Sequence, residues 1–141
     1  MNKTEIKRVF DAFSGIFKSI HQRSFHDLET QKLYPGQPKF LALIKANEGV
    51  TQKELAEKHF VTPATITGVL NKLEANKYVY RVPDENDKRV MRVYLTEEGR
   101  HLAEQGEKFM LELTERMFQD FTEEELQTYL ILTEKIRNSL Q

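Results

Sequence analysis

The chain has 141 residues, no cysteine, and 21 basic against 22 acidic residues, so its formal net charge is −1. This length predicts one ordinary domain or two small modules that share a core, and the lack of cysteine excludes disulfides, thiolate metal sites and thiol nucleophiles. The longest apolar run covers only residues 40–44, far fewer than the ~20 residues that cross a bilayer, and the first residues lack the apolar core of a signal peptide. We therefore expect a soluble cytoplasmic protein with no membrane partner.

Charge is distributed unevenly along the chain. Residues 58–96 contain 7 basic and 4 acidic residues, whereas residues 97–141 contain 5 and 11. A basic middle segment followed by an acidic one is compatible with nucleic-acid binding, but solvated helix faces often carry the same imbalance. Charge alone therefore leaves both interpretations open.

Two helices are predicted before residue 50. Residues 4–28 carry apolar side chains at steps of three and four, which is the pattern of an amphipathic helix. The segment 33–38 combines Pro and Gly and predicts a turn, after which Pro38 fits the first position of a second helix that stops near Gly49. The apolar stripe of the first helix consists of Ile6, Val9, Phe10, Phe13, Ile16, Phe17 and Ile20.

Two closely spaced start signals then predict a helix-turn-helix. Thr51 and Glu54 form a capping box for a short helix that ends near Lys58, and Thr62 precedes Pro63, which suits the first position of a longer helix. The apolar residues of the longer helix follow the i, i+3, i+4, i+7 pattern and are Ile66, Val69, Leu70 and Leu73.

From Tyr78 onward the spacing of apolar residues changes from a period of 3.6 to a period of 2, which predicts strands at residues 79–82 and 89–95 around a polar loop. Thr96 then caps a long helix, and Thr122 with Glu125 forms another capping box, which begins the last helix. The residues expected to face inward are Leu102, Phe109, Leu113, Met117 and Phe118 in the long helix, and Leu126, Tyr129, Leu130, Ile136 and Leu140 in the last one.

A helix-turn-helix followed directly by a β-hairpin predicts a winged helix, so the expected fold class is mainly α, in the order α-α-α-α-β-β-α-α. We assign residues 35–96 to a DNA-binding domain whose second helix would enter a major groove while the hairpin contacts the backbone or minor groove. Residues 1–34 and 97–141 are assigned to a helical dimerisation region, because their apolar stripes exceed what one small winged domain needs to cover.

The outer face of the helix over residues 62–76, opposite its apolar stripe, is small and polar. Small residues permit close approach, threonine offers a hydroxyl or a methyl group, asparagine can pair with adenine, and lysine can reach a phosphate. Arginines on the hairpin suit phosphates or a narrow minor groove. The candidate DNA contacts are Thr62, Thr65, Thr67, Gly68, Asn71 and Lys72 on the helix and Arg81, Lys88, Arg89 and Arg92 on the hairpin.

Two motifs are more specific than the order of elements: Thr62-Pro63-Ala64-Thr65-Ile66-Thr67 through Leu73-Glu74, and Asp87-Lys88-Arg89-x5-Leu95-Thr96-x2-Gly99. Together they resemble the MarR family of bacterial winged-helix transcription regulators. The resemblance implies a homodimer with interlocked terminal helices that binds a pseudo-palindromic double-stranded DNA operator and usually represses transcription. It also implies release of the DNA by a small, often aromatic, ligand, and it adds Asp87 to the wing residues.

Two positions depart from the family pattern. Many relatives carry a basic residue where Gly68 stands, and a helix-ending glycine where Lys77 stands. Helices commonly end with a residue in the left-handed conformation, usually Gly and sometimes Asn. We therefore expect Asn76 to take that conformation here.

An enzyme is not predicted, and neither a cofactor nor a metal site is expected. The six glycines form no phosphate-binding loop, no serine-nucleophile motif occurs, and the histidines lack the spacing of a metal-binding pair. The alternative function is a winged helix used for protein–protein assembly, since fold does not dictate function. Phe13, Phe17 and Phe40 are the candidate lining of a ligand pocket, although an aromatic stripe is more often core or dimer packing.

Overall fold

The computed structural model describes residues 1–30 and 37–141, except for the side chains of residues 24–30. The chain forms two compact units, residues 1–104 and residues 105–141. The predicted order of six helices and a hairpin is confirmed over this part of the chain. The elements are α1 (Lys3–Thr30), α2 (Gln37–Ala46), α3 (Gln52–Lys58), α4 (Pro63–Ala75), β1 (Val79–Pro83), β2 (Met91–Leu95), α5 (Glu97–Phe118) and α6 (Glu123–Ser139).

Some expectations fall on residues outside the described part. Residues 33–36 of the expected turn lie outside the described part, and so does the domain boundary expected between residues 34 and 35. The assignment of the terminal segments to a dimerisation region stays a prediction. No described helix combines the length and apolarity that a membrane span requires.

The first unit has a hydrophobic core to which α2, α3, α4 and the hairpin all contribute. Its fully buried side chains come from every one of these elements, and the start of α5 adds Leu102 and Ala103. Each buried Leu, Ile or Val side chain contributes about 1.5–3 kcal/mol of transfer free energy. The largest fully buried residues are Leu41, Ile44, Leu55, Ile66, Leu70, Leu73, Val79 and Val93.

The predicted helix starts are confirmed by their hydrogen bonds. The Thr51 hydroxyl accepts a bond from Glu54 N at 3.1 Å, and the Thr51 N–H donates to the Glu54 carboxylate at 2.8 Å. The Thr62 hydroxyl accepts from Thr65 N at 3.2 Å, with Pro63 as the first helical residue. Thr122 makes the third capping interaction, again as a capping box. Because a cap is a local interaction among four residues, sequence alone locates it well.

The ends of α3 and α4 correct one expectation. Asn76 has a helical φ of −83°, and it is Lys77 that takes the left-handed conformation, with φ +61°. Asn76 is the C-cap itself, whereas the left-handed residue of this helix ending stands one position later. The Lys77 and Tyr78 N–H groups accordingly donate to the carbonyls of Glu74 and Leu73, both at 2.9 Å. Phe60 ends α3 in the same way, with φ +53°.

The hairpin is shorter on one side than the sequence predicts. Its antiparallel register pairs Val79 with Leu95 and Pro83 with Met91, so β2 begins at Met91 rather than Arg89. The preceding residues instead form a loop closed by a hydrogen bond from Asp84 N to the Val90 carbonyl at 2.8 Å. On its other edge, β2 exchanges hydrogen bonds with residues 49 and 50, which ties the hairpin to the segment before α3.

The start of α5 is fixed by a close approach of two backbone segments. The Thr96 hydroxyl donates to the Lys77 carbonyl at 2.6 Å and accepts from Gly99 N at 3.0 Å. A Cβ on Gly99 would lie 1.9 Å from the Tyr78 carbonyl oxygen, which leaves room for glycine alone. The Leu-Thr-x2-Gly part of the second sequence motif therefore anchors α5 beside the end of α4.

Two helices leave their apolar faces uncovered. The predicted stripe of α1 is mostly half-exposed, and α6 has no buried residue at all. Met117 of α5, expected to face inward, is also exposed, whereas Leu102 and Leu113 are buried as expected. The large exposed apolar residues of the two helices are Ile6, Val9, Phe10, Phe13, Ile16 and Phe17 in α1 and Tyr129, Leu130, Ile131, Leu132 and Ile136 in α6.

Candidate nucleic-acid interface

One face of α4 is open to solvent over most of its length. Gly68 lies near the middle of this face, and a Cβ built on it meets no other atom within 4 Å. Such a surface allows another molecule to approach the helix backbone closely. The exposed residues of this face are Thr62, Ala64, Thr65, Gly68, Asn71 and Lys72.

The threonine hydroxyls of α4 already have partners within the chain. Thr62 and Thr65 are joined through their hydroxyl oxygens at 3.0 Å. The Thr67 hydroxyl donates to the Pro63 carbonyl at 2.8 Å and accepts from the Gln52 side-chain amide at 2.7 Å. Thr67 thus links α3 to α4 and helps to set the angle of the helix-turn-helix, a role that the sequence did not indicate.

Arg81, a predicted wing contact, lies against α4. Its Nε donates to the Glu74 carboxylate at 2.9 Å, and a second N–H forms an ion pair with the same carboxylate. Its Nη2 donates to the Asn71 side-chain oxygen at 2.9 Å. Only 20% of the Arg81 side chain is exposed. The structure therefore brings together one residue predicted for the helix and one predicted for the wing.

The tip of the hairpin carries an exposed arginine held by a carboxylate. Arg89 donates from Nε and Nη2 to the two carboxylate oxygens of Asp87, at 3.0 and 3.1 Å, although its side chain is 91% exposed. The hydrogen bonds from Arg89 lower the pKa of Asp87 and raise that of Arg89. Both groups are charged at neutral pH, and Lys88 beside them is exposed.

Arg92, another predicted wing contact, lies opposite Val82 at the end of the strands next to the hairpin loop. Its Nε donates to Asp84 at 2.6 Å and its Nη1 donates to the Gly49 carbonyl at 2.8 Å. The second oxygen of Asp84 accepts from the Asn86 and Asp87 N–H groups at 3.0 and 3.1 Å. These bonds, with that from Arg92 the largest, lower the pKa of Asp84. Arg92 therefore shapes the loop that presents Arg89.

The candidate ligand-pocket residues are found in two separate ring contacts. The Phe13 and Phe17 rings meet edge-on at 4.8 Å, and the Phe40 and His59 rings lie 4.0 Å apart with their planes tilted by 35°. Burial, together with the charge of Lys39, lowers the pKa of His59, whose Nε2 is buried without a hydrogen-bond partner. Whether these aromatic residues line one pocket stays a prediction.

A groove of about 490 Å³, which the sequence did not indicate, lies between α3, the start of α4 and residues 89–91. It is lined mainly by apolar side chains, with charged residues among them. Among the described side chains, no group of three or more His, Asp or Glu residues could hold a metal ion. The groove residues include Ala56, Val61, Ile66, Val90 and Met91, with Lys53, Glu57 and Arg89.

The chain is similar to known proteins over most of its length. A profile described as the MarR family matches residues 33–91. An uncharacterized HTH-type transcriptional regulator of Bacillus subtilis (strain 168), YybA, is 29% identical over 97% of this chain and 89% of its own. A MarR protein from Peptoclostridium difficile is 30% identical, covers 99% of this chain and 92% of that one, and has a TM-score of 0.77. An S. aureus MepR–DNA complex is 27% identical over 92% and 96%, with a TM-score of 0.82.

Proposed function

This chain belongs to the MarR family, and we propose that it is a cytoplasmic transcription regulator that binds a two-fold-symmetric DNA operator as a homodimer. The observation that carries this proposal is the pairing of an exposed polar face on α4 with an exposed arginine at the wing tip. Similarity to a MepR that was crystallised with DNA supports the same conclusion.

In this proposal α4 enters the major groove. Gly68 lets the helix backbone approach the base edges, Thr65 and Asn71 face the bases, and Lys72 reaches a phosphate. Thr62 and Thr67 act mainly through the helix start and the α3–α4 angle, because their hydroxyls bind within the chain. The threonine methyl groups remain available for contact with thymine.

The wing supplies the second contact. Asp87 holds the Arg89 guanidinium through two hydrogen bonds, which reduces the side-chain freedom that Arg89 loses on binding. A guanidinium presented in this way suits the negative potential of a narrow minor groove, and Lys88 adds a phosphate contact. Arg92 supports this arrangement through Asp84 rather than by touching DNA.

The homodimer is proposed from the uncovered apolar faces of α1 and α6. Large contiguous apolar surfaces are rare on monomers and usually mark interfaces. A second copy of the chain is the partner that also explains a two-fold-symmetric operator, because the symmetry of the protein is repeated in the DNA. The acidic residues of the segment 97–141 then need not face the phosphates.

Repression and its relief by a small aromatic ligand are proposed from family membership. A repressor needs only to occupy its operator, which the proposed docking provides. Phe13, Phe17 and Phe40 are the proposed lining of the effector site, since aromatic residues suit a flat apolar ligand. A compound screen for release of the protein from its operator tests this part of the proposal.

The main proposal is tested by selecting bound sites from random DNA with the full chain. We expect an inverted repeat with half-site centres about 10 bp apart or a multiple of that distance. Affinity for the selected site should fall steeply with salt concentration, because Lys and Arg contacts release counterions from the DNA. Selection without any enriched symmetric motif would reject DNA reading and favour a winged helix that binds proteins.

A further inference from the structure

Arg81 and Glu74 hold the side-chain amide of Asn71 in one orientation. A guanidinium carries only hydrogen-bond donors, so the Asn71 atom 2.9 Å from Arg81 Nη2 is the oxygen Oδ1. The two N–H donors of Nδ2 then lie on the other branch of the planar amide, on a residue that is exposed. Which end of Asn71 faces outward is therefore set by the arginine.

The arginine is itself fixed. It is four-fifths covered and donates to Glu74 through two of its nitrogens, Nε at 2.9 Å and Nη2. Glu74 stands at the end of α4, three residues after Asn71, and Arg81 follows on β1. Arginine keeps its charge at every physiological pH, so a positive group always stands beside Asn71 Oδ1.

This arrangement bears on the base that Asn71 can read. An unconstrained asparagine pairs with adenine, with Oδ1 accepting from the adenine N6 amino group and Nδ2 donating to N7. Here the guanidinium already donates to one lone pair of Oδ1, so an adenine N6 amino group would have to share this oxygen with a cation, whose charge repels the partial positive charge of the amino group. Guanine instead presents two acceptors, O6 and N7, which both the Nδ2 donors and the positive charge attract.

We propose that the Glu74–Arg81 pair sets the base preference of the recognition helix, by making Asn71 a donor that reads guanine rather than adenine. The proposal rests on the proposed function, in which α4 lies in the major groove. Arg81 is then a positioning residue, whereas the sequence alone predicts that it contacts DNA directly.

The test begins with the wild-type chain and its Asn71→Ala variant in parallel site selections. The base pair at which Asn71→Ala loses preference is the one that Asn71 reads. We expect guanine there in the wild type, favoured about tenfold over adenine. Replacing that guanine by 7-deazaguanine, which lacks the N7 acceptor, should lower wild-type affinity and leave Asn71→Ala unaffected. Adenine at that position, or no position that depends on Asn71, would overturn the proposal.

The Arg81→Met variant then tests the role of the arginine. Methionine covers a similar apolar area without donors, and we expect the preference at the Asn71 position to move from guanine to adenine while the rest of the motif is retained. Glu74→Gln keeps an acceptor for Arg81 and should preserve guanine. A uniform loss of affinity with unchanged base preference would show that Arg81 contacts DNA directly, and would reject the proposal.

The base that Asn71 reads is found without the Arg81→Met and Glu74→Gln variants, and it needs only Asn71→Ala, a truncation of an exposed side chain that should leave the fold intact. If wild-type selection yields no motif at all, the proposed function fails. If it yields a symmetric motif with adenine at the Asn71 position, only the present proposal fails.

Discussion

α4 and α6 begin in the same way, yet their apolar residues are in opposite environments. Each follows a threonine that caps the helix through its hydroxyl. In α4, Ile66 and Leu70 are buried, whereas in α6 Leu130 and Ile136 are 57% and 56% exposed. The sequence pattern is the same in both helices, so the difference lies in whether other elements of the chain cover the apolar face. The apolar face of α4 is covered within the chain, whereas that of α6 is exposed and is the face proposed to bind a second copy.

The largest expected effect is a loss of dimerisation through α6 that leaves the core around α4 intact. Leu130→Glu combined with Ile136→Glu should weaken dimerisation by roughly a thousandfold or more, because each buried Leu or Ile contributes about 1.5–3 kcal/mol and every dimer contains both twice. Sedimentation equilibrium measures the change. The winged module should keep its helical circular dichroism, since these residues contribute nothing to its core.

A matched control adds the same two charges to the other face of α6. Gln127→Glu with Asn138→Glu places glutamates on the row that holds Ile131, on the side of the helix opposite Tyr129, Ile136 and Leu140, by the 100° step of an α-helix. We expect this variant to stay dimeric. Monomers formed by both variants would attribute the effect to charge alone and would move the interface away from this apolar stripe.

The second prediction concerns the exposed face of α4. Gly68 has open space around it, so Gly68→Glu and Gly68→Lys should both fold. Next to phosphates, the glutamate should lower operator affinity roughly a hundredfold, since facing like charges costs several kcal/mol. The lysine also hinders the close approach of the helix, but it should lower affinity much less than the glutamate, because its flexible cation can reach a phosphate, and it should steepen the salt dependence of binding. Operator affinity is measured for both variants over a range of salt concentrations. If both substitutions change it equally, the DNA does not bind at this face of α4.

The third prediction tests the close approach at the start of α5. Gly99→Ala should lower the free energy of unfolding by about 1–3 kcal/mol, the usual cost of overpacking, because its Cβ would meet the Tyr78 carbonyl. Gly68→Ala is the matched control in another helix and should raise stability by about 0.5–1 kcal/mol. Urea unfolding of the two variants, at one protein concentration, measures both values.

These regions also differ in how far sequence alone predicts them. The caps at Thr51, Thr62 and Thr122 were predicted to the residue, because each depends on neighbours within one helical turn. The same applies to the buried stripe of α4, which follows from periodicity. Short-range rules therefore located the elements and the exposed face of α4.

The internal partners of the wing arginines were not predicted. Arg81 with Glu74, and Arg92 with Asp84 and the Gly49 carbonyl, join segments whose meeting depends on the folded hairpin. In a sequence such residues look like ordinary exposed cations. The alternation along β1 places Arg81 on the same side as the buried Val79, and this is the signal that could have indicated a partner within the chain.

The smallest expected effect concerns the two left-handed residues that end the helices of the helix-turn-helix. A non-glycine residue in this conformation costs roughly 1–2 kcal/mol, and glycine costs about 0.5–1 kcal/mol in extra unfolded-state entropy. Lys77→Gly should therefore raise the free energy of unfolding by roughly 0.5–1 kcal/mol, and Phe60→Gly should act in the same direction. Asn76→Gly is the control, and it should destabilise by about 0.5–1 kcal/mol, because Asn76 has a negative φ of −83°, so that glycine adds unfolded-state entropy there without relieving strain. Opposite signs for Lys77→Gly and Asn76→Gly in urea unfolding are the expected result. The reverse pattern would assign the left-handed conformation to Asn76, as the sequence alone predicts.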